Sequence, residues 1–133
     1  MLYEHYSEYP ESHWRWENFS PVELACPCCG EYYHDEESLN RIQLARTGSG
    51  KAFKINSAHR CWLNNIRVGG APLSQHKRIA FDISLFGHEP NELLRSCKEA
   101  GFTTFGFYRS FLHTDIRPNR IWYGKGARQQ WNG

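Results

Sequence analysis

No apolar stretch of this chain approaches the roughly 20 residues that a membrane-spanning helix needs, so no transmembrane helix is expected. The opening residues, Met1-Leu2-Tyr3-Glu4-His5, lack a basic segment followed by an apolar one. That argues against a secretory signal and for synthesis and folding in a cytosol. Blocks of Lys or Arg are missing as well, and a formal net charge of +2 is too small to draw a nucleic acid. There is no internal repeat, linker or low-complexity segment. Residues 1–133 therefore have room for one domain around one core, expected to be a monomer.

The paired Cys-x-x-Cys knuckles of common zinc ribbons are also lacking. Instead there are five Cys, three of them crowded into Cys26-Pro27-Cys28-Cys29. In a reducing cytosol such residues are thiols or metal ligands rather than disulfides. Cys26-x-x-Cys29 is a metal half-site by itself, and Cys26, Cys28, Cys29 and Cys61 together could make a second, structural metal site. The plain alternative is buried or idle thiols.

What the chain does have is rings: eight Phe, seven Tyr and five Trp, enough to fill much of a core or to line a groove. Residues 1–19 carry Tyr3, Tyr6, Tyr9, Trp14, Trp16 and Phe19 without a period, which reads as an irregular arm packing its rings on the domain. Ser20-Pro21-Val22-Glu23 is a short helix start with a capping-box pattern. A firmer helix begins at Asp35, with Leu39, Ile42 and Ala45 recurring on one face and Gly48-Ser49-Gly50 as its stop. Phe53, Ile55 and Ser57 alternate with polar residues as in a half-buried strand. A short helix is expected from Cys61 to Arg67. Ile79, Phe81, Ile83 and Leu85 share one face of a second strand, with Ala80, Asp82 and Ser84 on the other. Pro90 opens a helix with Leu93, Leu94, Cys97 and Ala100, and Gly101 closes it. Two strands, 104–108 and 111–116, follow as a hairpin. From Pro118 the tail, 118–133, is polar, with Trp122 and Trp131 as anchors. The order predicts an α+β fold with a central antiparallel sheet flanked by helices.

His76 and Asp82 are six residues apart, which on a helix would place them about 240° apart around the axis. A loop running into a strand suits a chelate better. His113 and Asp115 lie on one face of the last hairpin strand. If that strand pairs with the one carrying Asp82, His76, Asp82 and His113 can converge on one ion. Two imidazoles and one carboxylate would give zinc three ligands and an open fourth position, the arrangement of a catalytic site.

Three segments in order resemble a known family. Val68-Gly69-Gly70-Ala71-Pro72-Leu73-Ser74-Gln75-His76, followed by Ala80-Phe81-Asp82-Ile83, is similar to the signature of the zinc D-Ala-D-Ala carboxypeptidases. Upstream, Ile55-Asn56-Ser57-Ala58-His59-Arg60 resembles that family's Ser-Gly-Tyr-Arg segment. Downstream, Gly106-Phe107-Tyr108 and Phe111-Leu112-His113-Thr114-Asp115 resemble its closing Gly-x-Tyr and His-x-Asp strand. The likeness runs over about residues 17–123 and is greatest to the small phage and prophage branch. It implies the fold shared with the hedgehog signalling domain and a zinc peptidase acting on peptidoglycan stem peptides. The ligands would be His76, Asp82 and His113. Arg60 would bind the charged end of the substrate, as its planar fork of donors suits a carboxylate, with Ser57 and Ser74 as hydrogen-bond partners. Trp62, Phe107 and Tyr108 would wall the groove or pack in the core. In this branch cysteines recur in both places where they occur here, which implies that the two segments lie close. The branch also implies a lysis enzyme released to the cell wall or carried on the virion.

The chain departs from the family pattern in three places. The usual His-x-x-Gly-x-Ala-x-Asp loses its Gly and one residue of spacing. Ser110 stands where many members carry an acidic base, so Asp115 becomes the expected catalytic carboxylate, either as base or as the group that orients His113. His59 replaces a Tyr. The first two departures favour a rival reading, a non-catalytic zinc or cell-wall-binding module of the same fold.

Overall fold

The computed structural model describes residues 1–71 and 74–131. Its short strands are β1 (Leu2–Tyr3) and β2 (Tyr32–Tyr33), and its main strands are β3 (Ile55–Ser57), β4 (Phe81–Ser84), β5 (Thr104–Phe107), β6 (Phe111–Asp115) and β7 (Arg120–Tyr123). The helices are α1 (Pro21–Leu24), α2 (Glu36–Ser49), α3 (Trp62–Arg67), α4 (Pro90–Glu99) and α5 (Arg128–Trp131). The main sheet runs in the order β3-β4-β6-β5-β7 and is antiparallel except for the β5–β7 pair. The α+β class read from the sequence is the one observed.

Local chemistry explains most of these elements. The Ser20 amide donates to Glu23 Oε1 at 2.8 Å, closing the capping box of α1. Asp35 caps α2 by accepting from the Ser38 amide, and Gly50, with φ 72, ends it in the left-handed conformation that glycine tolerates. Leu39, Ile42 and Ala45 of α2 and Leu93 and Cys97 of α4 are buried on one face of the sheet, against Phe81, Ile83, Phe105, Phe107 and Leu112. Alternation therefore sends Phe81 and Ile83 into the core and leaves Asp82 on the opposite face.

The ends of the chain are more ordered than the sequence suggests. The N-terminal arm contributes β1, which pairs with β2, and its Tyr9 ring stacks on His34 with centroids 4.3 Å apart. The stretch read as a polar tail contains the edge strand β7 and the closing turn α5. Four residues with a single alternation, Arg120-Ile121-Trp122-Tyr123, are too few to show a period between turn residues, so the strand was not legible. Trp131 does act as an anchor: it is buried and its indole donates to the Tyr108 carbonyl at 2.9 Å. Among the described residues, no helix is long and apolar enough to cross a membrane.

The strand registers align one row across the sheet: Ser57 opposite Asp82, Asp82 opposite His113, His113 opposite Gly106, and Gly106 opposite Trp122. Gly106 leaves a gap in that row, and the Trp122 ring fills it. A β-carbon at this position would lie 2.5 Å from the indole. Gly106→Ala should displace Trp122 and lower stability by about 1–3 kcal/mol, the usual penalty of overpacking. Denaturant unfolding of the two proteins measures the difference.

Candidate metal centre

The open face of the sheet carries a cleft of about 460 Å³. His76 reaches it from the 3-10 turn Gln75–Lys77, Asp82 from β4 and His113 from β6. The shortened His76-to-Asp82 spacing is taken up between that turn and Phe81, and Asp82 keeps its face.

Three acceptor atoms converge there. His76 Nε2 lies 3.1 Å from Asp82 Oδ1, His113 Nδ1 lies 3.0 Å from the same oxygen, and the two ring nitrogens are 3.2 Å apart. The other ring nitrogens are already engaged. His76 Nδ1 donates to the Ala58 carbonyl at 2.6 Å, and a carbonyl can only accept. His113 Nε2 donates to Asp115 Oδ2 at 2.7 Å. With those protons placed outward, the inward atoms of both rings present lone pairs to the Asp82 carboxylate. Three buried lone pairs at such distances require a proton or a cation between them. Ligands held about 2.0–2.1 Å from a tetrahedral zinc sit roughly 3.3–3.4 Å apart, so the triangle fits the ion closely.

Burial opposes ionisation of Asp82, but the hydrogen bonds to His113 and His76 outweigh it and hold the carboxyl well below its usual range. Burial also disfavours the His113 imidazolium, yet Asp115 and Asp82 on its two sides raise its pKa. A proton therefore competes with any metal for this nitrogen.

Asp115 stands behind His113 rather than in front of it. It is 1% exposed, and Arg117 grips it through Nε at 2.9 Å and a terminal nitrogen at 2.7 Å. It is not among the described residues that line the cleft. The placement departs from that expected of a base facing the open coordination position, because the His113 ring lies between the carboxylate and the cluster. Ser57 departs too: it sits in the row beside Asp82, outside the described lining of the cleft.

Arg60 and Ser74 both line the cleft. Arg60 lines the cleft, half-buried, donating to Ser74 Oγ at 3.1 Å and to Asn65 Oδ1 at 3.1 Å. Its backbone amide donates to the His76 carbonyl at 2.6 Å, tying the arginine segment to the turn that carries His76. The sequence offered no signal for Asn65, whose amide also donates to the Ala71 carbonyl at 3.0 Å. Trp122 was read only as an anchor but forms part of the cleft wall, its ring centroid 4.9 Å from that of His113 and its indole donating to the Tyr108 hydroxyl at 2.7 Å. Of the rings expected to wall the groove, Tyr108 does so. Phe107 is in the core, and Trp62 is 68% exposed and outside the described lining.

The family model described as Peptidase M15 matches residues 17–116, and the chain belongs to that family. Membership implies a zinc-dependent metallopeptidase, and the buried His-Asp-His cluster supplies a donor set for the ion. No curated protein matches the chain.

Burial works against ionisation of Asp115, but the hydrogen bonds from His113 and Arg117 bring its pKa down to about 2. Because the folded value lies below the ordinary one of about 3.9, the carboxylate's stabilisation is present above that pH and is lost as pH falls toward 2. Asp115→Asn in metal-free protein should remove about 2–3 kcal/mol at pH 7 and flatten the acid limb between about pH 4 and 2. Urea unfolding across that range measures both effects.

Proposed function

We propose that this protein is a zinc-dependent peptidoglycan peptidase, a D-Ala-D-Ala carboxypeptidase or stem-peptide endopeptidase. The single observation that carries the reading is the convergence of His76, Asp82 and His113 beside the Arg60 guanidinium in one cleft. Bound there, zinc supplies a Lewis acid for a water and for the scissile carbonyl.

The chain's own groups do the rest. The Ala58 carbonyl fixes the His76 tautomer, and Asp115, held by Arg117, fixes that of His113. Asp115 is thus a positioning residue. Arg60 engages the carboxylate end of the peptide, with Ser74 and Asn65 keeping its fork in plane. The Tyr108 hydroxyl accepts from Trp122, so its own proton is free to donate into the cleft. The three motifs of the phage and prophage branch support action on the cell wall, reached after release from the cytoplasm or on the virion.

One observation favours a second reading, a zinc-holding cell-wall-binding module. Among the described residues lining the cleft, Asp82 is the only carboxylate, so no free acidic base faces the centre. Turnover separates the two. Zinc-loaded protein incubated with muropeptides should release D-Ala or cut the stem peptide, as read by mass spectrometry, and His76→Ala should abolish the product and remove the one zinc held in the cleft. Zinc uptake without product from any stem peptide would decide for the binding module.

Arg60→Ala should lower kcat/KM about 10- to 100-fold, matching the loss of a charge-assisted hydrogen bond worth about 1.5–3 kcal/mol. Zinc content should stay unchanged, and Arg60→Lys should recover only part of the loss. An unchanged KM on a substrate with a free terminal carboxylate would remove Arg60 from the binding role.

A further inference from the structure

Away from the cleft, the fold gathers four thiols that the peptidase reading does not use. Cys26 and Cys28 bring their sulfurs to 3.4 Å, Cys28 and Cys61 to 3.5 Å, and the sulfurs of Cys26, Cys28, Cys29 and Cys61 all lie within 4.8 Å of one another. We propose that these four residues form a tetrathiolate zinc site, closed to substrate, that clamps the turn at residues 26–31 onto the segment carrying Arg60.

The geometry suits the ion. Sulfurs about 2.3 Å from a tetrahedral zinc lie roughly 3.8 Å apart, and all five cysteines of the chain are free. Hydrophobic packing does not account for the cluster, because Cys28 and Cys29 are exposed. The backbone shapes the turn around it. The Cys26 amide donates to the Glu31 carbonyl at 2.7 Å and the Gly30 amide to the Cys26 carbonyl at 2.8 Å, with Gly30 at φ 82. The Asn64 amide donates to Cys61 Sγ at 3.4 Å, orienting the fourth sulfur.

Two contacts outside the cluster hold the segments together beforehand. The His59 amide donates to the Leu24 carbonyl at 3.1 Å, and the buried His59 ring bonds Glu31 at 2.7 Å. A divalent ion among the sulfurs would let all four bind as thiolates.

The consequence reaches the cleft without entering it. Cys61 follows Arg60 directly, and Ala58, whose carbonyl orients His76, lies on the same segment. The clamp would therefore set the position of both the substrate-facing arginine and one edge of the His-Asp-His centre.

Cobalt substitution tests the site independently of turnover. His76→Ala protein, purified under reducing conditions and loaded with Co²⁺, should bind one equivalent and show the intense thiolate-to-cobalt charge-transfer absorption of the near ultraviolet. The Cys28→Ser, Cys29→Ser double variant, altered only at exposed positions, should lose that band while the cleft centre still takes metal. Absence of the band in His76→Ala protein would overturn the proposal, as would its survival in the double variant or a disulfide detected by thiol titration. Failure of the peptidase reading would look different, as an intact thiolate band in a protein without turnover.

Discussion

The antiparallel register of β4 against β6, with Asp82 facing His113, is the constraint from which the rest of the molecule follows. Side chains alternate along a strand, so a slip of one residue would send Asp82 into the core and Ile83 into the cleft. Burial of Phe81, Ile83 and Leu112 against α2 and α4 resists that slip on one face. The side chains of the candidate centre gain from it on the other. A hydrophobic core is thus what fixes the geometry of a polar centre that contributes little apolar burial of its own.

That centre also shows how buried charge is managed. Each outward ring nitrogen of His76 and His113 has a dedicated acceptor, so each ring turns a lone pair inward. Asp115, at 1% exposure, is held ionised by the hydrogen bond from His113 and by Arg117, whose two nitrogens and backbone amide satisfy its oxygens. The chain Arg117–Asp115–His113 carries the influence of a guanidinium at the rim to the nitrogen at the centre. Trp122 closes that wall from the edge strand because Gly106 yields the space.

Much of this was legible in the sequence, for local reasons. The capping box at Ser20, the apolar stripe of α2 and the alternation through Phe81–Ile83 each report a periodic or chemical rule confined to a few residues. The ligand set was legible only through three motifs in order, since His-x5-Asp by itself says nothing about convergence. What escaped depends on long-range placement. The strand β7 owes its existence to the free edge of β5, which Arg120–Tyr123 does not encode by period. Asp115 shares the face of His113, yet face alone cannot tell whether a carboxylate stands before or behind the ring. Ser57 pairs with Asp82 at the edge strand β3, outside the described lining of the cleft, which its motif alone does not reveal.

The site is assembled from two supports of unequal stiffness. Asp82 and His113 sit on interior strands of the sheet, each paired with a neighbour on both sides. His76 and Arg60 sit on a short turn and a loop, whose hold on the sheet runs through a few bonds: Ala58 to His76, Arg60 to His76, and His59 to Leu24, Glu31 and Arg78. All five of these bonds involve residues 58–60, so any freedom of that segment moves the arginine and the first histidine together. Cys61, at the end of the same segment, meets the sulfurs of Cys26, Cys28 and Cys29. A metal held by them would restrain the segment that carries Arg60 and, through the Ala58 carbonyl, orients His76.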